Sequence, residues 1–97
     1  MTMKYLKVEW VHTHSDEPIL LYSELGGGRW EARKIEVFAD GRTGFASSTE
    51  ATPGTGTKLS IEPIPALGEI AADPQFKPVE ITKEEFETVW SARRSSA

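Results

Sequence analysis

The sequence predicts an α+β domain: a four-stranded antiparallel meander sheet, a long loop, a short helix, and a C-terminal helix packed on one sheet face. Three observations predict it. Apolar and polar residues alternate with period two in successive segments of the first half. Short turns rich in Gly, Pro and Asp separate those segments, and consecutive strands joined this way usually pair with each other. Near the end the period changes to i, i+3, i+4 behind a helix-start signature. A chain of 97 residues has room for one domain, 1–97. Within it the sheet is expected over 3–47, a flexible loop over 48–58 and the last helix over about 83–94.

Residues 3–12 alternate, with Leu6, Val8 and Trp10 on one face and Lys7 and Glu9 on the other, as in a half-buried strand. Thr13 to Pro18 is a polar turn, and Pro18, which has no N–H, opens the next strand. That strand runs from Ile19 to Leu25. Gly26-Gly27-Gly28 then permits positive φ in a hairpin connection. Trp30 to Phe38 forms the third strand. Glu31, Arg33, Ile35 and Val37 occupy its odd face, and Trp30, Ala32, Lys34, Glu36 and Phe38 its even face. Both faces mix charged and apolar groups. Asp40-Gly41 predicts a type I′ hairpin, and residues 42–47 return as a fourth strand carrying Phe45.

Residues 48–58 are polar and rich in Gly and Thr, and are expected to be the most mobile segment. Ile61 to Pro65 is extended, because each proline drives its predecessor out of the α region. Leu67 to Asp73 predicts a short helix stopped before Pro74, and Lys77 to Ile81 a short extended segment. Thr82 and Glu85 fit a capping box, and Ile81 and Phe86 a hydrophobic staple. Phe86, Val89 and Trp90 form one apolar helix face, with acids in the first turn and Arg93 and Arg94 in the last. Ser95 to Ala97 are expected to fray. The apolar helix face is expected against Leu6, Val8 and Trp10, which leaves the opposite sheet face open.

Composition narrows the function classes. No cysteine is present, which excludes disulfides, thiolate metal sites and a cysteine nucleophile. The net charge is −4, and no Lys/Arg cluster stands out, so binding to nucleic acid is not expected. No apolar run reaches the roughly 20 residues of a membrane helix. Met1 to Lys4 lead straight into strand-like sequence, so a cytoplasmic location without a secretory signal is expected.

The candidate chemistry is sparse. His12, His14, Asp16 and Glu17 are the one cluster resembling a metal site: two imidazoles one residue apart on an extended chain point the same way, with carboxylates following. A strand end and a solvated turn explain the same residues. Ser15 or Ser23 lacks a nucleophile-elbow context. Neither Gly26-Gly27-Gly28 nor Gly54-Thr55-Gly56-Thr57-Lys58 has phosphate-loop spacing. Glu24, Glu31 and Glu36, interleaved with Arg29, Arg33 and Lys34, suit cross-strand ion pairs or a charged recognition surface. On such a surface Trp30 or Tyr22 would be the aromatic anchor. Trp10 and Trp90 read as core.

Several segments carry a family resemblance. They are Lys4 to Trp10, Asp16-Glu17-Pro18, Leu21 to Leu25, Arg29-Trp30-Glu31, Arg33 to Phe38 and Asp40-Gly41. Pro63-Ile64-Pro65, Glu80-Ile81-Thr82 and Glu85-Phe86 continue it. Together they resemble the DUF6881 family of short bacterial proteins, over nearly the whole chain. The resemblance implies a bacterial, cytoplasmic, stand-alone domain and brings no activity, cofactor or catalytic residue.

With no catalytic set assembled and no cofactor implied, the leading expectation is a non-catalytic protein-binding module. Its small size and acidity suggest an immunity-type inhibitor of a basic toxin or nuclease, binding through Tyr22, Glu24, Trp30, Glu31, Arg33 and Glu36. The alternative is a small-ligand or metal-binding protein or enzyme built on His12, His14, Asp16 and Glu17. A third reading is a homodimer paired through the open sheet face.

Overall fold

In the computed structural model, which describes residues 3–52 and 55–93, the chain forms five strands and two helices. The strands are β1 (Lys4–Trp10), β2 (Pro18–Leu25), β3 (Glu31–Phe38), β4 (Thr43–Ser47) and β5 (Phe76–Ile81). The helices are α1 (Leu67–Ala71) and α2 (Lys83–Ser91). The sheet is wholly antiparallel in the order β4-β3-β2-β1-β5. The four-strand meander is therefore present, but the sheet has a fifth strand. The segment around Pro78 pairs with β1 from Tyr5↔Ile81 to Trp10↔Phe76. A proline argues against a central strand and is tolerated at an edge, which is where β5 lies.

The connections follow local chemistry. Gly27–Arg29 forms a 3-10 turn between β2 and β3, with Gly28 at φ 72° and Arg29 at φ 65°. The β3–β4 hairpin is not the expected type I′ turn. Gly41 alone takes positive φ (91°), and the Phe38 N–H bonds to the Arg42 carbonyl across the three-residue loop Ala39–Gly41. Asp40 keeps an ordinary φ, and its side chain serves as an acceptor. Its carboxylate takes the Arg42 N–H at 3.0 Å and Nε at 2.7 Å.

Helix α2 carries the Thr82 half of the expected capping box, with Thr82 Oγ1 accepting from the Glu85 N–H at 3.1 Å. It ends at Ser91, so Arg93 lies just past the last turn and bonds back to the Trp90 carbonyl. Arg94, and the expected fraying of Ser95 to Ala97, lie outside the described residues.

The helix packs on the face opposite to the expected one. Phe86 is fully buried among Tyr5, Tyr22, Ile35 and Phe45, with Val89 and Trp90 at the edge of that cluster. The odd positions of β1 therefore face α2, although Lys7 and Glu9 make that row look solvent-facing. The helix sits over the Tyr5 end and over β2–β4, where the matching positions are aromatic or branched. The face bearing Leu6, Val8 and Trp10 is not open either. The connector from β4 to β5, including α1, crosses it.

The loop over 48–58 is tied down at several points, with its Pro53 and Gly54 outside the described residues. Ala51 bridges Ala46, and Thr52 bonds to Phe45 through both its N–H and its hydroxyl. Thr57 is buried and donates to Glu36 Oε1 at 2.9 Å.

Candidate functional site

The charged residues of β2 and β3 separate onto the two sheet faces. Under α2, Glu24 and Arg33 form a two-point ion pair, and Arg33 also reaches Glu87 of the helix at 2.6 Å. The hydrogen bond from Arg33 holds the Glu87 carboxyl below its ordinary range, and the bond to Glu24 holds Arg33 charged. Burial pushes the Tyr5 phenol up, and its hydrogen bond to Glu24 acts in the same direction. Tyr22 lies in the same core. Three of the six expected partner-binding residues, Tyr22, Glu24 and Arg33, thus lie beneath the helix.

On the other face, Glu31 departs from simple alternation. The register shifts between Glu24 and Leu25, so Glu31 opposes Leu25 and turns to the same face as Ser23 and Lys34. Its side chain is 1% exposed. One carboxylate oxygen accepts from Ser23 Oγ at 2.7 Å; the other accepts from the Ser60 N–H at 2.8 Å and lies 3.2 Å from Lys34 Nζ. Lys34 also donates to the Lys58 carbonyl at 2.9 Å. A buried carboxylate survives only when its lone pairs are matched this way, and two of these bonds, from the Ser60 N–H to Glu31 and from Lys34 to the Lys58 carbonyl, fasten the connector to the sheet.

Arg29 fastens the connector further along. Its carbonyl accepts from the Ile64 N–H at 2.8 Å, and its guanidinium donates to the carbonyls of Ile64 and Pro65, each at 2.7 Å. Arg29 holds a positive φ that non-glycine residues rarely adopt, and these three bonds offset that strain.

Between the sheet and this roof lies an open groove of about 340 Å³. Val8, Leu21 and Phe76 form its sheet wall, and Ile64, Pro65 and Ile70 its roof wall. Ser23, Glu31 and Lys34 line it from the sheet. Glu69 and Asp73, both exposed, line it from the α1 side. The walls suit an apolar group, and the two outer carboxylates favour a positive charge near the mouth.

The remaining expected residues lie elsewhere. Trp30 is 51% exposed in the turn beside Arg29, and Glu36 is held by Thr57. At the β1–β2 end, His12 Nδ1 accepts from the His14 N–H at 2.9 Å, so Nε2 is the protonated nitrogen and donates to the Pro18 carbonyl at 2.8 Å. Both ring nitrogens are engaged. Among the described residues no group of three or more His, Cys, Asp or Glu side chains is placed to hold a metal ion. A second depression of about 390 Å³ runs past Trp10, His12 and Ile19.

The groove is not legible in the sequence. Its roof residues, Ile64, Pro65, Glu69, Ile70 and Asp73, fall in segments read only as extended chain and short helix. The one local signal was Glu69 and Asp73 at i, i+4 beside Ile70, which marks a helix edge acidic outside and apolar inside.

Fold and groove together define a small α+β domain whose second sheet face is roofed by its own β4–β5 connector. The chain belongs to the DUF6881 family, a domain of unknown function, whose family model matches residues 4–95. No curated protein and no solved structure matched it. Among the described residues no helix is long and apolar enough to cross a membrane.

Proposed function

We propose that the domain is a non-catalytic protein-binding module that takes a basic partner at the roofed groove. In this reading it acts in the cytoplasm as an immunity-type inhibitor of a basic toxin or nuclease. The observation that carries the reading is the groove: apolar walls, an acidic lip, and inner charges already matched within the fold. The net charge of −4 acts in the same direction, since it speeds encounter with cationic proteins. Burial of Tyr22, Glu24 and Glu31 moves the binding surface away from the sheet charges and onto the connector.

The test is a crosslinked pull-down from native lysate at low and high salt, with wild type and Ile70→Trp, which fills the groove from its roof. The expected result is one basic protein enriched on wild type, lost at high salt and lost on the variant. Absence of any salt-sensitive basic partner rejects the reading. A second reading, a small-molecule site, is favoured by the groove volume, which falls in the range of about 300–1,000 Å³ typical of ligand pockets. Native mass spectrometry of protein purified from its source distinguishes the two: a retained small molecule lost in Ile70→Trp selects the second.

A further inference from the structure

Glu69 and Asp73 lie four positions apart along α1 and its C-terminal turn, and both line the groove. Neither has an ion-pair partner among the described residues; Asp73 Oδ1 accepts only a backbone N–H, from Gln75 at 3.0 Å. Asp73 lies two residues past the end of α1, so both carboxylates stand on the α1 side of the groove, and a cation docking there meets two negative charges. Deeper in the groove the electrostatics differ. Lys34 is matched by Glu31 and the Lys58 carbonyl, so the inner surface offers apolar walls and no spare negative charge. A long cationic side chain entering head-first would bring its charge toward Lys34 and away from the acids. An apolar side chain entering the groove would leave its sequence neighbours at the mouth, beside Glu69 and Asp73.

We propose that the groove is a docking site for a short segment of a basic protein in which one aromatic or branched apolar side chain is flanked by arginine or lysine. The apolar side chain sits between Leu21, Ile70 and Phe76, and the flanking cations pair with Glu69 and Asp73. This rests on the protein-binding reading above and specifies the chemistry that the partner presents. Charge complementarity selects this occupant over a neutral or acidic segment.

The test uses three peptides on isotope-labelled protein followed by nuclear magnetic resonance: acetyl-Arg-Phe-Arg-amide, acetyl-Glu-Phe-Glu-amide and acetyl-Arg-Gly-Arg-amide. The first is expected to bind about tenfold more tightly than either of the others, because only it supplies both the buried anchor and the matching charges. Its shifts should centre on Leu21, Ile70 and Phe76. Glu69→Gln/Asp73→Asn, which keeps the Asp73 Oδ1 acceptor, should remove most of its advantage over the acidic peptide at low salt. Equal affinity for the Arg and Glu peptides, shifts centred outside the groove, or no binding would each overturn the proposal. The peptides probe the site directly, so this failure is separable from failure of the function. If the first peptide binds and no basic protein is captured from lysate, the functional reading falls. If a basic protein is captured and the peptides do not bind, the groove falls as the docking site and only the protein-binding part of the functional reading stands.

Discussion

Arg33 grips Glu24 at two points, Nε to one carboxylate oxygen and Nη2 to the other, each at 2.7 Å. The same guanidinium lies 4.9 Å from the ring centres of both Phe86 and Trp90 and donates to Glu87. One planar cation therefore joins the sheet to both the charged and the aromatic faces of α2. A lysine ammonium can neither fork onto a carboxylate nor stack flat on two rings. Arg93 repeats the arrangement at the other end of Trp90. It lies 4.0 Å from that ring and 5.0 Å from Phe45, and pairs with Glu50 at 2.8 Å.

Removing Arg33 strands a buried Glu24. Arg33→Met is expected to cost on the order of 3 kcal/mol of folding stability, the low end for breaking a buried pair because Arg33 keeps some exposure. Glu24→Gln/Arg33→Met should recover part of that loss, since no unpaired charge remains. Chemical denaturation of both variants checks this. A double variant no more stable than the single one would assign the loss to packing on Phe86 and Trp90 instead.

The same network makes stability pH-dependent. Glu87 is held below its ordinary value of 4.5 by its hydrogen bond from Arg33. A carboxyl depressed in the folded state contributes its stability above the unfolded value and loses it as the pH falls through the folded one. The melting temperature should therefore drop as acid is added from pH 4.5 downward. Glu87→Gln should flatten that acid limb and lower stability near neutrality by the same amount that wild type loses through Glu87 in acid, a small amount because the side chain is partly exposed and its pairing is screened. An unchanged slope in the variant would remove Glu87 from the effect.

How legible these features were depends on how local their causes are. Strands β1–β4 were legible because alternation and turn residues are near-neighbour signals. The α2 cap was legible because Thr82 and Glu85 interact within one turn. The extended run at Lys77 to Ile81 was legible, but its place in the sheet as β5 was hidden by Pro78, whose local meaning opposes a strand until its edge position is known. The helix face was misjudged because Leu6, Val8 and Trp10 are the more apolar row of β1, while the choice of face is decided by Tyr22, Ile35 and Phe45 on other strands. Glu31 was assigned to the face of Arg33 because one shift of register, invisible in the sequence, reverses its direction. The groove needs residues from β1, β2, β3, β5 and the connector, so no single window contains it.

Gly44 on β4 has no room for a side chain. A Cβ there would stand 2.1 Å from Thr57 Oγ1 and 2.7 Å from Thr55 Oγ1. Gly44→Ala is expected to destabilise by about 2–3 kcal/mol, the upper part of the range for overpacking, because the loop that must shift carries the buried Thr57–Glu36 bond. Calorimetric unfolding measures it. A loss below about 0.5 kcal/mol, the level of an ordinary surface substitution, would mean that the loop yields freely.

Pro78 protects the edge of the sheet. It opposes Val8, and the neighbouring Gln75 carbonyl accepts from the Val11 N–H. Antiparallel bonding alternates along the strand, which turns the Pro78 position outward, away from β1. Proline there removes a donor from the free edge, a common guard against edge-to-edge pairing. Pro78→Thr should leave the fold intact and increase self-association with concentration, measured by light scattering. A strictly monomeric variant would place the guard in the flanking Lys77 and Glu80 charges.

Arg29 separates backbone strain from roof attachment. Arg29→Ala keeps a non-glycine residue at φ 65° and removes both guanidinium bonds to the roof. Arg29→Gly removes the same two bonds and relieves the strain, since glycine takes positive φ without steric cost. The alanine variant is therefore expected to be less stable than the glycine variant by on the order of 1 kcal/mol. Both should loosen the connector alike. The Ile64 N–H, bonded to the Arg29 carbonyl, should exchange with solvent faster in both, while amides in β2 stay protected to the limit set by global unfolding. Faster Ile64 exchange in the alanine variant alone would mean that the backbone conformation, and not the guanidinium, holds the roof over the groove.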